Sequence, residues 1–302
     1  MTKLNKKLED IRFGNGAGTI KNMQQVEEAC KSAMTDITVG SITMEERPGN
    51  SGDVYYFHPT EHWSLNSLGL PNPGLNAYRQ ILPEMRTRAH AAGKTLRASV
   101  AGFSPKEYAI LAQQCFECGV DEVELNLGCP NVWGEEGQKP IPSYDPALTA
   151  AILEEVGQAV QPMKVAVKIS PLNSRVILEK VSDVIVEHPF VSCIVATNTF
   201  PNQERLREDG GPAISFNGGN HRGGLAGVSL QGSACRVIDI LREEKTSDHA
   251  VIAAGGIFTG ADALKYLAKG NVVGFQCATA YLEYGPGIFS TILQEIMDLE
   301  AA

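Results

Sequence analysis

The 302-residue sequence lacks the features typical of secreted, membrane-spanning and nucleic-acid-binding proteins. Its N-terminal stretch, MTKLNKKLEDIRF, has no apolar run behind the lysines, so we expect neither a signal peptide nor a membrane anchor. Seven scattered cysteines, an odd number, argue against a disulfide framework and favour reduced thiols in the cytosol. A net charge of −9 argues against nucleic acid or an anionic membrane as the main partner. Small anionic ligands stay possible, because they respond to local charge.

Metal-binding and dinucleotide-binding motifs are also missing. Cys115-Phe-Glu-Cys118 is a lone C-x-x-C in a helix-like segment, which favours buried thiols over a metal site. His58 and His62 have i,i+4 spacing, but Pro59 between them predicts a loop, and no H-E-x-x-H motif accompanies them. We therefore expect no metal. No Gly-x-Gly-x-x-Gly follows the first strand, which disfavours a doubly wound dinucleotide-binding sheet.

What the sequence does contain is a regular alternation of strand-like and helix-like segments. The predicted strands are 11–16, 36–43, 95–102, 121–128, 164–170, 191–198, 249–256 and 271–279. The predicted helices lie near 22–34, 75–92, 105–118, 146–160, 174–187, 229–244, 260–269 and 286–300. Eight β–α units in a chain of this length, with 43% hydrophobic residues to fill a core, predict one (β/α)8 TIM barrel domain over residues 1–302.

Alternation within the fourth strand predicts which side chains face the barrel interior. Val123, Leu125 and Leu127 share one face, and Glu124 and Asn126 share the other. Helices cover the outside of such a barrel, so the apolar face should point outward and Asn126 inward. Chemistry in this fold occurs at the C-terminal ends of the strands, where the chain continues as Gly-Cys-Pro-Asn.

The same alternation in the fifth strand places Lys168 inside the barrel near its mouth. An unpaired buried charge is costly, so this lysine needs a partner. One interpretation is that it faces a ligand; the alternative is a purely structural ion pair with Glu124. The pattern alone leaves both open.

Three segments rich in small residues lie late in the chain: AAGGIFTG (253–260) ends strand seven, QCATA (276–280) ends strand eight, and RGGLAG (222–227) precedes the helix that begins near Ser229. Glycines let backbone N–H groups approach an anion closely, and barrels often bind phosphate after strands seven and eight. Their convergence predicts a cofactor that bears a phosphate. On the opposite side, asparagines in LNSLGLPN (65–72), ELNLGCPN (124–131) and ATNTF (196–200) suit a flat ligand with alternating N–H and C=O groups.

These segments resemble the dihydroorotate dehydrogenases. NSLGLPNPG, ELNLGCPN, VKIS, ATNT, GGLAG and AAGGIFTGADALKYLAKG occur in that family's order and at about its spacing. The resemblance implies FMN, a (β/α)8 barrel, and oxidation of dihydroorotate to orotate in pyrimidine biosynthesis in the cytoplasm. It also implies a homodimer. The N-L-x-C-P-N and N-S-x-G-L-P-N motifs are its most specific parts.

Carried over position by position, the resemblance assigns a role to each candidate residue. Cys129 matches the catalytic base of the cysteine-containing family 1 enzymes, and Lys168 a second catalytic residue beside the flavin. The implied substrate-binding residues are Lys21, Asn66, Ser67, Leu68, Gly69, Leu70, Asn126, Asn131, Asn198 and Thr199. The implied FMN-binding residues are Ala17, Gly18, Ser41, Asn126, Lys168, Thr197, Gly227, Gly256, Ala278 and Thr279.

The chain departs from the family 1 pattern at two places. Many family 1 enzymes read T-K-S-S after the second strand, whereas this chain reads Thr38-Val39-Gly40-Ser41 and has no lysine there. Its first loop, GAGTIKN (16–22), instead matches the family 2 pattern, which suggests that Lys21 pairs with the substrate carboxylate. The second departure is Gly128, where family 1 usually has serine.

The implied reaction needs a base for the proton alpha to the carbonyl and a flavin for the hydride. A flavin enzyme acting on another cyclic amide, such as a dihydropyrimidine, and a non-redox phosphate-binding barrel enzyme are the alternatives. With no membrane segment, fumarate is favoured as electron acceptor, or NAD through a separate iron–sulfur subunit, because the chain has no cysteine cluster of its own. Residues 133–140 could form a mobile lid over the cysteine or a solvated loop.

Overall fold

The computed structural model describes residues 7–134, 137–171, 174–244, 246 and 249–301. The strands in this part of the chain are β1 (Arg12–Asn15), β2 (Asp36–Ile42), β3 (Gly52–Asp53), β4 (Tyr55–Phe57), β5 (Trp63–Asn66), β6 (Thr95–Val100), β7 (Glu122–Asn126), β8 (Trp133–Gly134), β9 (Gly137–Gln138), β10 (Val165–Ile169), β11 (Val191–Ala196), β12 (Phe200–Gln203), β13 (Ser215–Phe216), β14 (Gly223–Gly227), β15 (Ala250–Ala254) and β16 (Val272–Cys277). The α-helices are α1 (Met23–Cys30), α2 (Gly74–Ala91), α3 (Pro105–Glu117), α4 (Pro146–Val160), α5 (Arg175–Val186), α6 (Gln231–Glu243), α7 (Gly260–Leu267), α8 (Thr279–Tyr284) and α9 (Ile288–Ala301).

Eight parallel strands close into a barrel in the order β1, β16, β15, β11, β10, β7, β6, β2. Each of them lies within one of the eight predicted strands, so the prediction of a (β/α)8 barrel is confirmed. Several strands end up to two residues before the predicted boundary, as β7 does at Asn126. The residues past these ends belong to the loops that carry the site.

Side-chain caps set the start of several helices. The Ser104 hydroxyl accepts a hydrogen bond from the Glu107 N–H at the start of α3, and the Asp145 carboxylate accepts two at the start of α4. Pro105 and Pro146 follow at the first helical positions, where a missing N–H costs no hydrogen bond. These two predicted starts are confirmed. The one predicted at Gly285-Pro286 is slightly early, since α9 begins at Ile288.

The core lies mainly between the barrel and its helices. Val123 and Leu125 of β7 are fully buried in it, as their alternation predicts. A smaller apolar cluster of Ala166, Cys193, Val195, Ile252 and Ala254 lies on the opposite faces of β10, β11 and β15, inside the barrel. Apolar packing therefore closes part of the interior, and inward polar residues occupy the rest.

The sequence did not predict an antiparallel sheet of four strands in the order β12, β14, β5, β4. These strands are short, and glycine makes up much of β14, so their alternation is weak. The turn between β4 and β5 holds His58 and His62, which confirms the predicted loop. Among the described residues, no helix has the length and apolar content to cross a bilayer.

Within the stretch 133–140, β8 pairs antiparallel with β9. Residues 135 and 136 lie outside the described residues. The lid and the solvated loop therefore stay predictions.

Candidate active site

Two adjoining cavities, of about 800 and 520 Å³, lie at the C-terminal ends of the barrel strands. They share lining residues, including Lys168 and Ala278, so they form one continuous cleft. The larger cavity is lined by predicted residues that include Ala17, Gly18, Lys21, Ser41, Asn66, Leu68, Gly69, Leu70, Asn126, Cys129, Asn131, Lys168, Asn198 and Thr199. The smaller adds Thr197, Gly227 and Gly256, and both include Ala278 and Thr279.

Of the predicted set, Ser67 is the residue that the described cavities do not include. It is fully buried behind the loop, where its backbone carbonyl accepts a hydrogen bond from the Asn50 amide at 2.8 Å. Its place in the structure fits a role in shaping the loop that presents Asn66, Leu68 and Gly69 to the cleft.

Cys129 lies on the loop that follows β7 and lines the larger cavity. Burial raises the pKa of its thiol to about 11, although the backbone N–H of Asn131 and the charge of Arg47 act to lower it. Burial outweighs these two influences, so at neutral pH the thiol is mostly protonated.

Asparagine side chains hold one another in place across the mouth. The Asn126 amide donates to Ser41 Oγ at 2.9 Å, and the Asn198 amide donates to Asn126 Oδ1 at 2.9 Å. The Asn131 amide donates to Asn66 Oδ1 at 2.7 Å. These bonds fix which end of each amide is donor and which is acceptor. The result is a preorganised set of polar groups on one wall of the cleft.

Lys21 enters the cleft from the first loop, which is tied to the end of β2. The Gly18 N–H donates to the Gly40 carbonyl at 2.8 Å, and the Gly40 N–H donates to the Ile20 carbonyl at 3.0 Å. The lysine is half-buried, and burial lowers the pKa of its ammonium group. Within the described ranges no carboxylate pairs with it. It therefore offers an uncompensated positive charge to a ligand.

Val39 stands at the position of the family 1 lysine after β2, and its side chain is fully buried in the core. The next residue, Gly40, has a φ of +104°, and a Cβ there would lie 2.5 Å from the Ser99 carbonyl oxygen. A side chain at position 40 would therefore displace β6. The positive charge on this side of the cleft comes from Lys21 instead.

Gly128, the second departure, has an equally local cause. A Cβ at this position would lie 2.9 Å from Ser170 Oγ and 2.9 Å from Asn198 Cβ. The Ser170 hydroxyl donates to the Gly128 carbonyl at 2.8 Å. Ser170 thus fills the space into which a serine at position 128 would project.

The opposite wall of the cleft is made of backbone. Gly227 and Gly256 have φ of +73° and +65°, and a Cβ on Gly256 would lie 2.5 Å from the Gly227 carbonyl oxygen. Nearby, Thr197 Oγ1 and Thr199 Oγ1 are buried without a hydrogen-bond partner among the described residues. A buried hydroxyl normally has a partner, so both are suited to contact a polar ligand. This chemistry fits FMN, whose phosphate suits close-packed backbone N–H groups.

Lys168 links the two walls, because it lines both cavities. Its ammonium group donates to Gln276 Oε1 at 3.0 Å and lies 3.8 Å from Glu124 Oε1. The two interpretations left open by the sequence therefore hold together: the lysine is paired with Glu124 and it also faces the cleft.

Sequence reasoning missed several residues of the cleft. Tyr55 and Ser64 line the larger cavity from β4 and β5, and Gln276 lines the smaller one. The Ser64 and Thr279 hydroxyls are 2.9 Å apart. Alternation in β16, where Phe275 is in the core and Gln276 is not, could have identified the glutamine. The first two depend on the unpredicted sheet.

Of the two thiols of the C-x-x-C motif that the sequence predicts to be buried, Cys115 is fully buried in the core and Cys118 is only half-buried. All seven cysteines are free. His58 Nδ1 accepts a hydrogen bond from the Glu61 N–H within its turn. In the described part of the chain, no group of three or more potential ligands is arranged to hold a metal ion.

Comparison with known proteins connects this cleft to one family. The family model for dihydroorotate dehydrogenase matches residues 3–299. A Streptococcus pyogenes serotype M1 protein, described as a dihydroorotate dehydrogenase A (fumarate), is 29% identical over 289 residues, which are 93% of this chain and 87% of that protein. A Streptococcus agalactiae serotype Ia protein with the same description is 27% identical over 262 residues, 86% of this chain and 79% of that protein.

The fold has a solved counterpart as well. The crystal structure of the dihydroorotate dehydrogenase of Eimeria tenella in complex with ferulenol matches with a TM-score of 0.79 and 20% identity, covering 95% of this chain and 80% of that one. At this identity the match concerns the fold alone. The family model spans nearly the whole chain, however, and on that ground the chain belongs to the dihydroorotate dehydrogenase family, a family of oxidoreductases whose members bind FMN.

Proposed function

We propose that this protein oxidises dihydroorotate to orotate with FMN as cofactor and Cys129 as the base. The observation that carries the proposal is that one cleft collects a thiol, Cys129, and two lysines with different surroundings, Lys21 and Lys168. The thiol can take a proton, the first lysine can pair with a carboxylate, and the second can balance charge on a reduced cofactor. Each group has a use in this reaction.

The glycine wall, which is the backbone of Gly227 and Gly256, and Lys168 would hold FMN. Gly227 and Gly256 line the smaller cavity with backbone whose N–H groups suit a phosphate, and Thr197 Oγ1 nearby has no hydrogen-bond partner among the described residues. When bound, FMN supplies the acceptor for the hydride that leaves the substrate. Lys168 would then stabilise the negative charge that accumulates on the cofactor side of the cleft.

The wall that carries Asn66, Asn126, Asn131 and Asn198, here called the asparagine wall, would hold the substrate together with Lys21. Asn66, Asn126 and Asn131 present fixed donors and acceptors to a flat ring with alternating N–H and C=O groups. Lys21 would pair with the carboxylate that distinguishes dihydroorotate from neutral dihydropyrimidines. This set of contacts orients the ring and sets the specificity.

Proton removal would fall to Cys129. Its sulfur lines the cavity in which the substrate ring would lie, between Asn126 and Asn131. With a pKa raised to about 11 by burial, only a small thiolate fraction exists at neutral pH. The thiolate takes the proton alpha to the carbonyl and becomes a thiol, which must return that proton to solvent before the next turnover.

A neutral cyclic amide is the second candidate substrate, and the observation that favours it is Val39 at the position of the family 1 lysine. The absence of a lysine at the end of β2 leaves Lys21 as the cleft's cation on that side, and Lys21 is only half-buried. If Lys21 does not contact the ligand, the asparagine wall alone would select the ring. Dihydropyrimidines would then be as suitable as dihydroorotate.

We further propose fumarate as the electron acceptor. Two relatives are described as fumarate-type enzymes, and the large cavity would accept a small dicarboxylate once the product leaves. A cytoplasmic location, a role in pyrimidine biosynthesis and a homodimer follow from the same family relationship and belong to this proposal.

The test begins with the visible spectrum and the flavin content of the purified protein. We expect about one FMN per chain, the stoichiometry that one continuous cleft would accept. Under anaerobic conditions dihydroorotate should bleach the flavin, fumarate should restore its colour, and dihydrouracil should do neither. Bleaching by dihydrouracil at the same rate would favour the second candidate, and the absence of FMN binding would contradict the proposal.

A further inference from the structure

Six charged side chains extend through the barrel from its N-terminal end to the cleft. Arg97 Nη2 lies 2.6 Å from Glu122 Oε2 and 3.4 Å from Asp36 Oδ1, and Arg12 contacts the same two carboxylates. Above them, Arg97 Nη1 lies 4.0 Å from Glu124 Oε2, and Glu124 Oε1 lies 3.8 Å from Lys168 Nζ. Two carboxylates, Asp36 and Glu122, thus lie between the two arginines, and Glu124 lies between Arg97 and Lys168. The cation at the top of this column is the lysine that faces the cleft.

Gln276 joins the last two members of the column. The Lys168 ammonium donates to Gln276 Oε1 at 3.0 Å, and the Gln276 amide donates to Glu124 Oε2 at 2.8 Å. The opposite orientation of the amide would set its N–H groups against the ammonium and its oxygen against the carboxylate. The two charged groups therefore fix the amide, and the amide in turn fixes the position of Lys168 Nζ.

Glu124 is poorly suited to a purely structural role. It is fully buried, and its Oε1 has no hydrogen-bond partner among the described residues, with only the Lys168 ammonium nearby. Replacing a buried ion pair by apolar residues of similar volume is often neutral or stabilising. A carboxylate kept here without full hydrogen bonding suggests a benefit outside stability.

The balance of charges around Lys168 indicates that benefit. Burial lowers the pKa of its ammonium, Glu124 raises it, and Arg97 lowers it again. Without Glu124, both of the other influences favour the neutral amine. A neutral amine could no longer stabilise negative charge in the cleft.

We propose that Glu124, acting directly and through Gln276, is a positioning residue that keeps Lys168 charged and directed at the cofactor side of the cleft. The link to redox chemistry rests on the proposed function, whereas the charge state of Lys168 does not. The two parts can therefore be tested separately.

The first experiment measures the ionisation of Lys168 by NMR of the full-length protein labelled with [ε-13C]lysine, with the signal assigned from a Lys168→Met variant. Glu124 and Arg97 are the charged groups next to it, and Lys21 and Cys129 line the same cavity. We expect the Lys168 pKa to fall in Glu124→Gln. In the exchange variant Glu124→Gln/Gln276→Glu the carboxylate moves to the other side of the pair, and the pKa should recover.

Glu122→Gln is the matched control. It removes a carboxylate that contacts Arg12 and Arg97 but not Lys168, so it should destabilise the barrel without lowering the Lys168 pKa. An unchanged pKa in Glu124→Gln would overturn the proposal. If Glu124→Gln does not fold, the exchange variant decides: a wild-type pKa supports the proposal, and a lowered one contradicts it.

The second experiment measures the reduction potential of the bound FMN by equilibration with a reference dye. Glu124→Gln and Lys168→Met should both lower the potential, because each removes the positive charge of Lys168, the first by favouring the neutral amine and the second directly. Combining them should therefore add little. The exchange variant should restore the wild-type value. A potential unaffected by Glu124→Gln would overturn the redox role of this residue. If the wild-type protein binds no FMN, the proposed function fails, while the NMR result still decides the role of Glu124.

Discussion

The two walls of the cleft recognise ligands in different ways. On the asparagine wall the ligand contacts would come from side chains. Asn126 and Asn131 present amides that are held by hydrogen bonds to neighbouring residues, and Lys21 presents a partly buried charge. On the glycine wall, Gly227 and Gly256 contribute backbone and the absence of a Cβ. The first wall can discriminate between similar rings, because changing a side chain changes the contact. The second can hold an anion but discriminates little, since every residue has the same backbone.

The largest effect should come from the reactive group on the asparagine wall. Cys129→Ala should bind FMN and orotate as the wild type does, because the amides hold the ring. Flavin reduction by dihydroorotate should slow by about 10²–10⁴-fold, the usual contribution of a general base. Stopped-flow absorbance measures the rate, and Cys118→Ala, a thiol away from the cleft, is the control. Reduction of the alanine variant at the wild-type rate would exclude Cys129 as the base.

The pH dependence sharpens the same point. Since burial raises the pKa of Cys129 to about 11, the thiolate fraction should grow nearly tenfold per pH unit below that value. The rate of flavin reduction should therefore rise by about 10³-fold between pH 7 and pH 10, while Cys129→Ala shows no such rise. Cys129→Ser should retain a little activity that also increases at high pH. A plateau of the wild-type rate below pH 9 would mean that ligands lower the thiol pKa in the complex.

Lys21 tests whether the asparagine wall needs a charge. Lys21→Ala should weaken orotate binding by about 2–3 kcal/mol, as a partly buried carboxylate loses its charged partner. FMN binding should not change. Isothermal calorimetry gives both affinities, and Lys31→Ala, an exposed lysine after α1, is the control. Equal orotate affinity in wild type and Lys21→Ala would favour a neutral cyclic amide as the substrate.

The smallest of these effects should appear on the glycine wall. Gly256→Ala must adopt a left-handed φ of +65° with its Cβ against the Gly227 carbonyl, which costs about 1–2 kcal/mol before any clash. Relief of this contact should shift the wall that lines the smaller cavity, so we expect FMN affinity to fall on the order of tenfold. Gly232→Ala, which meets no atom within 4 Å, is the control. Loss of orotate affinity without loss of FMN affinity would contradict the division of the cleft into two walls.

The barrel could be predicted because each of its β–α units is marked by residues that lie close together in the sequence. Each β–α unit shows a short apolar strand and a capped helix, as Ser104 and Pro105 do at α3, and eight such units imply closure. The alternation of side chains along β7 and β10 predicted, without knowledge of any contact, that Asn126 and Lys168 point into the barrel. Many of the predicted residues meet in one cleft for the same reason, since they lie at the ends of barrel strands; Asn66 and Gly227 belong instead to the antiparallel sheet.

The rest depends on contacts between distant segments. The antiparallel sheet joins strands separated by more than 150 residues, as in the pairing of Leu65 with Leu225, and no short-range pattern encodes such pairing. The raised pKa of Cys129 results from burial by the complete fold. The reason that position 128 is a glycine requires knowing that Gly128 and Ser170 touch. Such features become visible only in three dimensions.

The pairing of β14 with β5 fixes the distance between the two walls of the cleft. Gly224 lies opposite Asn66 on the asparagine wall, and Gly227, on the glycine wall, lies opposite Trp63. The three residue steps from Gly224 to Gly227 span about 10 Å of strand, so the distance between the walls is set by a whole number of residues. A slip of one residue would shift this spacing and turn every side chain of the strand to its other face. Insertions or deletions in either strand should therefore disable both walls together, whereas single substitutions should affect one wall at a time.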